Sequence, residues 1–415
     1  MTNKVFYLTI FILSFLSCKT EMKPKTEILE SEKAEKIDIL ANRYLDLGRF
    51  SGVVLVTKGD TILYGNSFGL ADYENNRSFS NKTTFKIGEI SEIVTANIVK
   101  EMAKKEKFKL TDKISNYIPE FKSDFTINDL LNHKTNLPSL QTILEQNPEL
   151  EYSTIDYANL ALQSSEKTKR SDLNYNILGL VIEKISGKTF QENIENYSKE
   201  LSLENTYFQK TDSSLAVGYL YHNHQGNGLE LQKAPVSNDD ITFSSKGIKS
   251  TANDLAKIIS SNFSDKLEID GYYDGFSYSV VNNSQTQIGI VVLSNRRHPV
   301  AKEISNSIES ILENKEYSLP LAREQIGIDK NLLKDYSGFY SLNENMNLEV
   351  INENDSLFVM MGPNKIHLLP QSENQFYMKQ TDGAMRFLRD TDNKVKEVEL
   401  LDGFLEGNKI KRVEK

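Results

Sequence analysis

Apolar residues recur along this chain with two different spacings. Between Ala34 and Leu47, the positions Ile37, Ile39, Leu40, Tyr44 and Leu45 follow helical spacing and predict an amphipathic helix. The spacing then shortens. Gly52-Val53-Val54-Leu55-Val56 and Thr61-Ile62-Leu63-Tyr64 flank Lys58-Gly59-Asp60, which predicts a β-hairpin with a glycine-containing turn. From about residue 88 to 262 the pattern is mostly helical, with polar loops. Strand-like runs return at Phe276–Val281 and Ile288–Leu293, separated by Asn282-Asn283-Ser284-Gln285. After Pro299, the residues Ile304, Ile308, Ile311 and Leu312 share one helical face. Two hairpins bracketing a helical middle predict one antiparallel sheet built from both ends of a domain, with this last helix covering it.

A linker containing Pro320 is predicted from Glu313 to Lys330. Short alternating segments follow: Gly338–Tyr340, Leu348–Ile351, Ser356–Met360, Gln375–Met378, Met385–Leu388 and Val398–Leu400. Short strands at regular turns predict a small β-barrel or sandwich. The length of 415 residues suits two domains. Their expected bounds are 36–315 and 331–415.

Residues 1–17 carry Lys4, the apolar run Val5–Leu13 and the small residue Ser17, which together form an export signal. The run is too short to span a bilayer comfortably. Cys18 follows directly and is the sole cysteine, so it has no partner for a disulfide. A cysteine in this place resembles the lipobox of bacterial lipoproteins, with Phe15 where Leu is preferred. That resemblance implies lipidation at Cys18 and attachment to a membrane of the bacterial cell envelope. Residues 18–35 are rich in Lys, Glu, Thr and Ser and predict a flexible tether.

Net charge is −9 and no basic run stands out, so a nucleic-acid partner is not expected. No cofactor is expected. His222-Asn223-His224 has the spacing of two ligands on a strand. No third ligand is near in sequence, and the adjoining Gln225–Gly228 reads as an exposed turn, so no metal site is assigned.

Several blocks, in order, carry a family resemblance: Phe50–Val54, Gly69–Asp72, Thr84–Gly88, Leu110–Ile114, Thr126–Pro138, Tyr175–Gly187 and Lys246–Ala256. Together they resemble the serine β-lactamase and penicillin-binding protein family, nearest to class C enzymes and D-Ala-D-Ala carboxypeptidase relatives. The resemblance implies an α/β fold: an antiparallel sheet flanked by helices, plus a helical lobe. The segments opening with Asp335–Tyr340 resemble the lipocalin-like barrel often appended to such hydrolases.

The family's nucleophile is a Ser at the start of a helix, with a Lys three residues on that shares its face. The matching segment here is Ile87-Gly88-Glu89-Ile90-Ser91-Glu92, so Glu89 stands at the Ser position and Glu92 at the Lys position. The Tyr-x-Asn motif maps onto Arg170 and Asp172. The His- or Lys-x-Gly strand motif maps onto Ile269-Asp270-Gly271, of which the Gly alone remains. Ser91 lies two residues past Glu89 and points about 200° away from it on a helix, which argues against a substitute nucleophile. His133, at the end of a helix block, reads as a capping residue. Acidic residues in a first helical turn also suit the helix dipole. The sharper expectation is that Glu89, Glu92, Arg170 and Asp172 line the old cleft, with Arg170 pairing one of the two glutamates. Their summed charge is −2, which disfavours an anionic ligand.

These residues leave three readings. The first is a non-catalytic envelope lipoprotein that binds a cell-wall or protein ligand. The second is an active serine hydrolase of esterase, β-lactamase or D,D-peptidase type with unorthodox residues. The third is a structural protein whose barrel makes the contacts.

Overall fold

The computed structural model describes residues 29–413 except 148–152, 211, 224–228, 261–265, 297–299, 344–345, 362–363, 379–382 and 402–406. The export segment, Cys18 and His224 lie outside the described residues. The first helix spans Ser31–Asp46 and takes up the end of the predicted flexible tether. Its first two turns hold charged residues, including an exposed Lys36–Glu32 pair, which no apolar pattern could reveal. An acidic residue there also suits the helix dipole.

Five antiparallel strands form the main sheet: β1 (Gly52–Lys58), β2 (Thr61–Phe68), β3 (Leu267–Tyr273), β4 (Phe276–Asn283) and β5 (Ile288–Ser294). Their order is β2-β1-β5-β4-β3. The two ends of the domain meet at the centre, where Val53 faces Leu293 and Val54 faces Val292, as the two hairpins predicted. The edge strand β3 carries Glu268 and Asp270 and alternates between exposed and half-buried positions, so its apolar signal is weak.

Alternation along the strands divides two cores. Val54, Val56, Ile290 and Val292 pack beneath Ser31–Asp46 and the helix Val300–Leu312. Leu55, Val280, Val291 and Leu293 face the helical lobe. The helix Ser91–Lys104 runs through that lobe, and every residue from Ser91 to Val99 is buried. The middle region is not wholly helical, because Tyr219–Asn223 pairs with Leu229–Lys233.

The C-terminal part is a closed eight-stranded antiparallel barrel. Six of its strands were expected. The other two, Asn364–Pro370 and Lys409–Val413, carry a terminal proline and alternating basic residues that obscure the pattern. Tyr336, Tyr340, Phe376 and Phe387 fill the interior. Tyr336 comes from the helix Lys330–Tyr336, and its hydroxyl donates to the Glu373 carbonyl at 2.9 Å. The linker packs on both sides: Arg43 Nε donates to Pro320 O at 3.1 Å and the Ile326 amide to Pro370 O at 2.9 Å. Among the described residues, no helix is long and apolar enough to cross a membrane.

Candidate functional site

The helix Ser91–Lys104 is entered through a single 3-10 turn, Gly88–Ile90. Glu89 lies in that turn and Glu92 in the first turn of the helix. Gly88 has φ +49°, and a Cβ there would come 2.3 Å from the Tyr278 hydroxyl. Glycine meets both demands. Tyr278 is buried on β4, and its hydroxyl accepts the backbone N–H of Glu89 at 3.1 Å. Its neighbour across the ladder is Gly271 on β3, where a Cβ would come 2.7 Å from the same hydroxyl. The tyrosine is thus lodged between the two glycines. Asp270, next to Gly271, lies 3.5 Å from Lys302 Nζ on the outer helix.

Two ionic groups surround this turn. The Glu92 carboxylate is buried and accepts a hydrogen bond from Arg170 Nη2. The expected arginine–glutamate pair therefore forms with Glu92. His133 Nε2 lies 3.5 Å from the same carboxylate oxygen. In the second group, Lys246 Nζ lies 3.4 Å from Glu89 Oε1 and 3.1 Å from Asp172 Oδ2. The other Asp172 oxygen accepts the Leu140 amide at 2.7 Å. Burial lowers the pKa of the Lys246 ammonium, but Asp172 and Glu89 outweigh it and hold the group above the ordinary lysine range.

Glu89, Glu92, Arg170 and Asp172 are therefore brought together around one turn, with Gly271 behind it against Tyr278. Two residues were not assigned to it from sequence: Lys246 and Tyr278. Lys246 opens one of the family-like blocks, yet nothing local marks it as a partner for residues more than 70 positions earlier. Its charge corrects the expected sum. With Lys246 counted, the five charged side chains total −1. His133 does end its helix, with φ +50°, but its ring also reaches into the site.

The hydroxyls here are engaged. Ser91 is buried, and its Oγ accepts the Ile248 amide at 3.3 Å, in keeping with the geometric argument against it. Tyr175 donates to the Leu131 carbonyl at 3.1 Å. Burial, with Glu92 adding to it, raises the pKa of that phenol, so it holds its proton at neutral pH. Nearby in sequence, Lys86 Nζ lies 3.0 Å from Asp239 and 2.6 Å from Asp274, while Lys249 pairs with Asp239. Lys86 and Lys249 face each other on a short ladder, three residues from Glu89 and Lys246 respectively. One buried network thus anchors both arms of the site. Among the described residues, no group of three or more His, Cys, Asp or Glu is arranged to hold a metal ion.

Comparison with known proteins matches this architecture. The sequence profile of the family described as Beta-lactamase matches residues 37–271. The teichoic acid D-alanine hydrolase of Staphylococcus aureus is 27% identical over 242 residues, covering 55% of this chain and 57% of the relative. The match thus spans little more than half of that protein's length. Among solved structures, FmtA from Staphylococcus aureus superposes with a TM-score of 0.56 at 21% identity, over 70% of this chain and 90% of that one. A class C beta-lactamase gives 0.57 at 17% identity, over 70% and 98%. The octameric penicillin-binding protein homologue from Pyrococcus abyssi gives 0.56 at 18% identity, over 91% and 99%. At such identities these structures speak to fold alone. The profile covers more than half of the residues, and the chain belongs to the beta-lactamase family.

Proposed function

We propose that this protein is a non-catalytic member of its family that acts at the bacterial cell envelope as a binding or scaffold protein. The observation that carries this reading is the state of the Ser and Lys positions. Both hold carboxylates, and each carboxylate is drawn into an ion pair, Glu92 with Arg170 and Glu89 with Lys246. Acyl transfer by this family needs an activated nucleophile and stabilisation of the developing oxyanion. Neither glutamate offers an alkoxide. The backbone amide of Glu89, a donor of the type used in oxyanion holes, is already given to the Tyr278 hydroxyl. The envelope location is supported by the signal-like N-terminus and Cys18, with lipidation at that residue tethering the chain to a membrane. The named relative also acts, by its description, on an envelope polymer. The cleft keeps a net negative charge of −1, so we infer that it takes a neutral or cationic group from a cell-wall or protein ligand.

Intact-mass measurement after incubation with penicillin or a fluorophosphonate tests the reading. An unchanged mass is expected. A stoichiometric adduct on Ser91 or any other residue would instead establish the active-hydrolase alternative.

A further inference from the structure

On the barrel, one groove gathers positive charge. It encloses about 820 Å³ between the end of the helix Lys330–Tyr336, the turn before the strand Val395–Leu401 and the last strand, Lys409–Val413. Among the described residues, six cations line it: Lys334, Arg389, Lys394, Lys396, Lys411 and Arg412. Among the described lining residues, the carboxylates are Asp335 and Glu397. The contrast with the surroundings is large. Residues 331–415 hold eleven Lys and Arg against fourteen Asp and Glu, and the whole chain carries −9. More than half of the barrel's cations thus face one concavity in an otherwise acidic molecule.

The cations divide into fixed and free. Both Nη atoms of Arg389 lie 3.0 Å from Asp335 Oδ2, and its guanidinium stands 5.3 Å over the Tyr336 ring. Arg412 donates to the carbonyl of Asp335 at 2.9 Å and to that of Ser337. Lys396 pairs with Asp390 at 2.9 Å. Lys334, Lys394 and Lys411 are exposed, and among the described residues none has a carboxylate within ion-pair distance. Two pre-positioned guanidinium groups and three uncommitted ammonium groups therefore share the groove. Fixed arginines lose less side-chain freedom when they take an anion.

We propose that this groove binds a flexible polymer with repeated phosphodiester charges, as a site separate from the cleft. Several observations favour that partner over a nucleic acid or a lipid surface. Among the described lining residues no side chain is aromatic, so nucleobases would have nothing to stack on. Among the described lining residues the apolar ones are Val395, which is buried, and Val413, so a lipid surface has little to insert against. Cations stand both on the helix end and on the strands opposite. A phosphodiester keeps its charge near neutral pH, and its two non-bridging oxygens accept from guanidinium and ammonium groups alike.

The test uses the chain lacking residues 1–18, titrated with fluorescently labelled poly(glycerol phosphate) at several salt concentrations. Binding should weaken steadily with salt, as expected when counterions are released. The triple variant K334A/K394A/K411A should bind about tenfold more weakly or worse, with the slope of log K on log salt reduced by about 2. Its thermal midpoint should be unchanged, because these side chains are exposed. Lys394→Glu and Lys411→Glu, made singly, should each lower affinity even if the triple variant fails to fold. The proposal is overturned if the wild-type chain does not bind at low salt, or if the folded variants bind as it does. It is equally overturned if polyglutamate of similar length binds as well, or if single-stranded DNA or anionic vesicles bind more tightly. An acyl adduct in the cleft would overturn the non-catalytic reading and leave this site untouched.

Discussion

Arg170 and Glu92 show how one pair of side chains can be read from two sides. Arg170 is more than half exposed, whereas Glu92 is buried. An exposed pair contributes little, but a buried carboxylate left without a partner is costly. Arg170→Ala should therefore cost about 1–3 kcal/mol in chemical denaturation, most of it from stranding Glu92. Adding Glu92→Gln should recover part of the loss. If Arg170→Ala proves neutral, the pair is ornamental and the cleft is looser than its hydrogen bonds indicate. The pairing itself was legible as an expectation, since a lone arginine in a site with three carboxylates has few other roles. Lys246 was not legible, because lysines are common on helix ends and its two acceptors come from distant segments.

At the level of elements, the turn Gly88–Ile90 depends on a strand from the far end of the domain. Gly88→Ala would combine a positive φ with a Cβ placed 2.3 Å from the Tyr278 hydroxyl. A loss of about 2–5 kcal/mol is expected from these two causes together. A thermal midpoint equal to wild type would show that Tyr278 is not held where described. The neighbouring segment is fixed by Asp212, which accepts hydrogen bonds from Thr84, Tyr207 and Ser214 at 2.7–2.8 Å. Burial pushes this carboxyl up, but the bonds from Ser214, Thr84 and Tyr207 outweigh burial and bring it down to about 2. A depressed folded pKa contributes stability that is present above the unfolded value and lost as pH falls through the folded one. Asp212→Asn should thus be less stable than wild type near neutrality, and the gap should close between about pH 4 and pH 2. A gap that stays constant across that window, in urea midpoints measured at each pH, would contradict the assignment.

At the scale of the whole molecule, the barrel has its own core of Tyr336, Tyr340, Phe376 and Phe387 and closes on itself without borrowing a strand. Linker contacts reach it through Ile326 and Arg323. A fragment of residues 322–415 should therefore melt cooperatively by circular dichroism, with a tyrosine signal that disappears in the same transition. A broad, non-cooperative melt would mean that the barrel needs the larger domain to fold. Closure also explains which strands were hard to read. Lys409–Val413 alternates its apolar and basic residues, and only Ile410 of the strand is buried, yet it completes the ring by pairing with strands on both sides.

What the sequence by itself determined was local in origin. Period and turn chemistry placed the hairpins, the last helix and six barrel strands, because each depends on residues a few positions apart. Ordered blocks then carried the family and located Glu89, Glu92, Arg170, Asp172 and Gly271. Tertiary structure alone decided which of these touch. Lys246 joins Glu89 to Asp172, Tyr278 takes the Glu89 amide across 189 positions, and the groove cations come from a helix end, a turn and three strands. Such contacts depend on how packed elements are oriented in space. Coulomb and hydrogen-bond energies act over a few ångströms whatever the separation along the chain, so a linear pattern carries no sign of them.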